Sequence, residues 1–192
     1  DHPTWLPATL RSRCVQMHLP LPTADLAQPW LAAHVPAESL AQAPLLLQLS
    51  GGAPLRALAL AEHPAWLMQR PTLWQHLYAV RLGQMDPLQV AAAWQELPLA
   101  LALEWLQRGL LDLLRLCLLG PQTPLANADI AAELRQLRVG MNPAWLATYL
   151  GDLQQVGRWL QGNLTPLLLW EELLIAWQHS GRLVAFRQEP TP

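Results

Sequence analysis

The chain has no lysine: all twelve of its basic residues are arginine. A loop of the form Gly-x-x-x-x-Gly-Lys-Ser/Thr, whose lysine reaches a nucleotide's outer phosphates, is therefore not encoded. Cysteine is nearly absent as well. Cys14 and Cys117 are too few for a disulfide framework and lack the paired spacing of a zinc site. Both read as buried free thiols in a reducing compartment. The six histidines include no pair four residues apart and no His-Glu-x-x-His, so no metal centre is expected. Charge is scarce, at 14% of residues against 52% hydrophobic, with a net charge of -2. That balance excludes a disordered polyelectrolyte, and no basic stripe of the kind that grips nucleic acid stands out. Arginine in place of lysine has one chemical consequence: its planar fork suits bidentate contacts to carboxylate or phosphate.

What is present is helix. Apolar residues recur at spacings of three and four, and no run alternates strictly with period two. Helices are predicted over 7–12, 24–34, 37–49, 54–62, 65–82, 86–97, 99–119, 127–138, 142–161 and 165–180, with one short strand over 15–19. Starts share a design: Asp86-Pro87, Asn142-Pro143 and Thr165-Pro166 each set a capping side chain before a proline at the first helical position. Asn127 is a similar start. Gly83, Gly120, Gly140 and Gly181 sit where helical patterns stop. The run 99–119 is long enough to suggest a membrane span, but Glu104, Arg108, Asp112 and Arg115 fall on one face within pairing distance of each other. A helix buried in an assembly of helices fits that stripe, and no membrane is expected.

The pattern divides into four parts. Residues 1–22 precede a three-helix unit at 23–63, which is too small to bury much alone. A bundle of five or six helices covers 64–183, with His63-Pro64 as the joint. A frayed tail covers 184–192. Most of the ten tryptophans lie in the bundle. They read first as core and inter-helix packing, and second as material for a protein–protein surface.

One stretch carries more than pattern. Leu6-Pro7-Ala8-Thr9-Leu10-Arg11-Ser12-Arg13-Cys14 resembles the end of the ATPase core in bacterial clamp-loader subunits of the AAA+ class. A proline-bearing segment and three short helices follow. Between the second and third of these, Leu49-Ser50-Gly51-Gly52-Ala53-Pro54-Leu55-Arg56-Ala57-Leu58 is similar to that family's lid helix. Near the end, Gly162-Asn163-Leu164-Thr165-Pro166-Leu167-Leu168-Leu169-Trp170-Glu171-Glu172 resembles its final helix. The resemblance runs over most of the chain and is nearest to the delta-prime branch of DNA polymerase III clamp loaders.

The resemblance implies an all-α fold: a three-helix AAA+ lid at 23–63, a helical collar at 64–183, and at 1–22 the end of an ATPase core. The chain opens at Asp1 and is expected to be the C-terminal part of a longer protein. Arg13 would be an arginine finger acting in trans on ATP–Mg bound by a neighbouring subunit, with Ser12 and Cys14 shaping its loop. Leu55 falls where ATP-binding members carry a sensor arginine, and Arg56 is one residue later, on a face about 100° away. A lid lacking that sensor suits a stator that binds no ATP itself. Implied partners are the gamma/tau and delta subunits through the collar, with primed DNA and the sliding clamp met only through the complex. No cofactor or metal is implied for the segment itself. Any nucleotidyltransferase activity would belong to the holoenzyme, and the location would be cytoplasmic. Two alternatives stand beside this: a gamma/tau-type ATPase subunit, favoured if Arg56 is a true sensor, and an unrelated helical scaffold.

Overall fold

Proline and glycine set the element boundaries. A computed structural model describes residues 7–15, 17, 19–159 and 165–179. Every regular element among them is helical.

Helix α1 (Ala8–Arg11) is a single turn. The strand predicted over 15–19 is not formed: residues 15, 17 and 19 carry no regular structure, and residues 16 and 18 lie outside the described set. Val15, Met17 and Leu19 are exposed. A strand needs a partner to satisfy its N–H and C=O groups, and no described residue pairs with it.

Helices α2 (Ala24–His34), α3 (Ala43–Leu49) and α4 (Pro54–Ala61) pack on one another, with a 3-10 turn over Ala37–Gln42 before α3. Ala27, Leu31, Leu46, Leu47, Ala57 and Leu60 form their shared core. The helix predicted over 37–49 is thus split. Pro44 has no N–H for the Leu40 carbonyl and its ring would clash there, so a regular helix begins only where proline falls in its first turn. At the other end of α3 the Gly51 N–H bonds the Gln48 carbonyl and the Gly52 N–H the Leu47 carbonyl. Gly51 sits at φ +67°, the left-handed closure that glycine permits.

The second unit comprises α5 (Pro64–Arg81), α6 (Pro87–Trp94), α7 (Leu99–Leu119), a 3-10 turn (Ala128–Ile130), α8 (Ala131–Leu137), α9 (Pro143–Trp159) and α10 (Pro166–His179). Two of the expected caps form. Asp86 accepts the Leu88 N–H at 2.9 Å, and Asn142 accepts those of Ala144 and Trp145 at 2.9 and 3.4 Å. Asn127 turns its side chain elsewhere, so the helix predicted over 127–138 opens with the 3-10 turn. Gly181 and the tail 184–192 lie outside the described residues.

Helix α10 lies against α5 and α6, α7 lies against α8 and α9, and α5 lies against α8. Trp74, Trp94, Trp105, Trp170 and Trp177 are buried, whereas Trp30, Trp66 and Trp145 are half-buried. Trp94 meets Trp170 edge-on with centroids 5.3 Å apart, and the Trp177 indole N–H donates to the Leu77 carbonyl at 2.8 Å. Gly109 on α7 faces the Trp74 ring, and a Cβ there would run into it. No helix among the described residues is long and apolar enough to cross a membrane.

Candidate functional site

The residues singled out by sequence fall in two places. The first is the turn after α1. The Arg13 N–H donates to the Leu10 carbonyl at 3.1 Å, and the Ser12 hydroxyl donates to the Thr9 carbonyl at 3.2 Å. These local bonds fold the backbone back and leave the side chains of Ser12, Arg13 and Cys14 exposed. A guanidinium so presented offers its fork to an anion outside the chain. Cys14, expected to be buried, is an exposed free thiol on a turn whose neighbours Ser12, Arg13 and Val15 are exposed too, while burial pushes the half-buried Cys117 thiol up, against a smaller opposing effect of Arg138.

The second place is α4. Leu55 is 71% exposed, so its apolar side chain fills no core and can bind no phosphate. Arg56 turns to the bundle and pairs with Glu104 of α7. The other Glu104 oxygen takes Arg108 Nη2 at 2.6 Å, and Arg108 Nη1 donates to the carbonyls of Gln48 and Leu49 at 3.0 and 2.9 Å. The charged stripe of α7 therefore pairs within itself only in part. Glu104 with Arg108 and Asp112 with Arg115 are ion pairs, but each pair also reaches off the helix.

Asp112, 1% exposed, accepts both the backbone and side-chain N–H of Asn127 at 2.8 Å. Asn127 in turn accepts from Arg70 Nη2 at 3.0 Å, and Arg70 Nε donates to Asp129 at 2.9 Å. The Arg70 guanidinium is buried and lies 5.1 Å from the Trp105 ring centre. Burial holds its pKa below the ordinary arginine value, with Asp129 opposing that shift. Sequence reading missed this network because Arg70 lies 57 and 59 positions from Asn127 and Asp129, beyond any helical period. Asp112 and Asn127 were each noted for a local role, which gave no sign of their contact.

On α5, His76 accepts the Trp94 indole N–H at Nδ1, 3.2 Å away, and burial lowers its pKa. Among the described residues no cluster of His, Cys, Asp or Glu could hold a metal ion. Two open, mainly apolar grooves of about 370 and 460 Å³ flank Gln28 and Pro44 on the three-helix unit. Asp25 is the one ionisable residue lining them. Neither groove brings together a nucleophile and a base.

Comparison with known proteins adds three findings. A family model described as DNA polymerase III, delta subunit, C terminal, matches residues 64–179. A Pseudomonas aeruginosa protein named DNA polymerase III subunit delta' is 33% identical over 184 residues, which is 91% of this chain and 54% of that protein. An Escherichia coli protein of the same name is 33% identical over 182 residues, 92% of this chain and 52% of that one. The chain spans about half the length of the curated relatives it matches.

Proposed function

The chain belongs to the DNA polymerase III delta-type subunits, in the delta-prime line, and on that premise we propose that it is the lid-and-collar portion of a clamp-loader stator. In this reading the bundle at 64–183 is the collar that joins gamma/tau and delta subunits into a ring. The unit at 23–63 is an AAA+ lid, and residues 1–22 close an ATPase core. Primed DNA and the sliding clamp are engaged by the assembled ring.

Arg13 is the residue that completes chemistry elsewhere. Its guanidinium would meet the γ-phosphate of ATP–Mg held by the adjacent subunit and stabilise charge developing on the transferring phosphoryl group. Ser12 and Cys14 would shape the turn and take no part in the chemistry. The lid binds no ATP in this reading: Leu55 offers no cation, and Arg56 is engaged by Glu104.

The observation that carries the proposal is the exposed Ser12-Arg13-Cys14 turn in a chain whose delta-prime likeness covers 91% of its residues and so reaches beyond the bundle. The test is Arg13→Ala in a reconstituted complex. Assembly should be unchanged, and DNA- and clamp-stimulated ATP hydrolysis at the adjoining site should fall by about 10³-fold. Arg13→Lys should recover little of it, because an ammonium lacks the fork. Undiminished hydrolysis in a fully assembled Arg13→Ala complex would overturn the assignment.

A further inference from the structure

We propose that Glu104 and Arg108 of α7 form an ionic clasp that holds the three-helix unit at one angle on the bundle, and that Arg56 is a member of this clasp. The covalent joint alone does not set that angle. Helix α4 ends at Ala61 and α5 begins at Pro64, leaving Glu62 and His63 as the only connecting residues. His63 lies outside helical geometry, at φ -126° and ψ 63°. Apolar packing is denser within each unit than between them: the main packing partners of α2, α3 and α4 are each other, and the bundle helices pack chiefly among themselves, although the buried apolar residues of both form one continuous cluster.

The polar contacts do join the two units. Arg108 Nη1 reaches the last two carbonyls of α3, where the helix leaves acceptors without intrahelical donors and carries the negative end of its dipole. Arg108 Nη2 and Arg56 then share the Glu104 carboxylate, one on each oxygen. One α7 carboxylate and one α7 guanidinium thus hold α3 by its C-terminus and α4 by its first turn. The three-helix unit is gripped at two points, which is what a fixed angle requires.

Gly51 shows that the turn is fitted to the clasp. Its φ of +67° disfavours other residues, and a Cβ there would stand 2.6 Å from Arg108 Nη2. The same clasp can be released. Glu104, Arg108 and Arg56 side chains are 23, 31 and 57% exposed, so dissolved ions reach them, and pairs of this kind weaken with salt. Arg56, one residue past the sensor position, acts here as a positioning residue between domains.

The experiment measures the angle. In the whole chain, with Cys14 and Cys117 replaced by serine, spin labels are placed at Glu38 on the three-helix unit and Gln136 on α8, both exposed. Pulsed electron–electron resonance then gives the distance distribution between them. The parent should show one narrow distance at low salt that broadens at about 1 M salt, where the Debye length falls to about 3 Å. Glu104→Gln and Arg108→Met should both be broad at low salt and lose the salt response. Arg108→Lys should recover part of the narrow distance by keeping a charge at the α3 carbonyls. Near-ultraviolet circular dichroism of the buried tryptophans should be unchanged throughout. If Arg108→Met disturbs that signal, Glu104→Gln, which preserves shape, decides the matter. A Glu104→Gln distribution as narrow and as salt-responsive as the parent's would overturn the proposal.

Discussion

Arg70 is a cation enclosed by the bundle, and its neighbours account for its survival there. Asp129 neutralises it, Asn127 accepts a second N–H, and the Trp105 face covers it. Solvent reaches Asp129 but not Arg70, so removing the carboxylate leaves the guanidinium buried and uncompensated. Asp129→Ala should therefore cost about 3–5 kcal/mol. The double variant Arg70→Met with Asp129→Asn should cost clearly less than the two single changes combined. Urea unfolding around the four-member cycle checks this, and simple additivity would refute the coupling.

His76 gives the molecule an acid sensitivity of definite sign. Its Nδ1 accepts the Trp94 N–H, which requires the neutral ring, and burial lowers its folded pKa. Above the ordinary value of about 6.5 the ring is neutral whether the chain is folded or not, and the stability is fully present. As pH falls below that value the unfolded chain takes up a proton that the fold resists, so stability declines until the lowered folded pKa is reached. His76→Gln keeps an acceptor for Trp94 and does not titrate. Its stability should fall less than the parent's between pH 7.5 and 5, as read from unfolding midpoints. Residues like these were invisible in sequence: nothing near position 70 or 76 announces Asn127 or Trp94.

The elements were far more legible. Proline-marked starts at Asp86 and Asn142 are real caps, because the capping bond is made within two or three residues and needs no tertiary partner. Elements failed where partners were needed. The segment 15–19, expected as a short strand, has no neighbouring strand among the described residues. The helix predicted across Pro44 broke because backbone chemistry overrode apolar spacing. On α7 the charge spacing was legible, but its use was not. Two ion pairs lie along the helix as expected, while Arg108 and Asp112 each also serve another element. The α5–α7 contact has a test of its own. Gly109→Ala should gain about 1 kcal/mol in helix propensity. It should lose about 1–3 kcal/mol to overpacking against Trp74, which has no free space to move into. A lowered melting temperature is expected, and a raised one would show that α5 and α7 can move apart without cost.

At the scale of the molecule, the break between α4 and α5 was readable from punctuation alone, since His63-Pro64 interrupts the pattern where α5 begins. The polar contacts of α3 and α4 with α7 were not readable, because they join atoms about fifty to sixty positions apart, from Arg56 to Glu104 and from Gln48 to Arg108. The candidate site divides the same way. The Ser12-Arg13-Cys14 turn is a local motif, visible as written, whereas Arg56 acquires its meaning only from a helix in the other unit.

The bond from the Trp177 indole to the Leu77 carbonyl joins positions one hundred residues apart, and Trp94 is covered by Trp170. During synthesis, α5 and α6 therefore emerge long before the helix that seals them. At 5–20 residues per second, Trp94 waits about 4–15 s for its counterpart to be made. The growing chain must carry an open aromatic face through that interval, and the closing of α10 is the event that ends it.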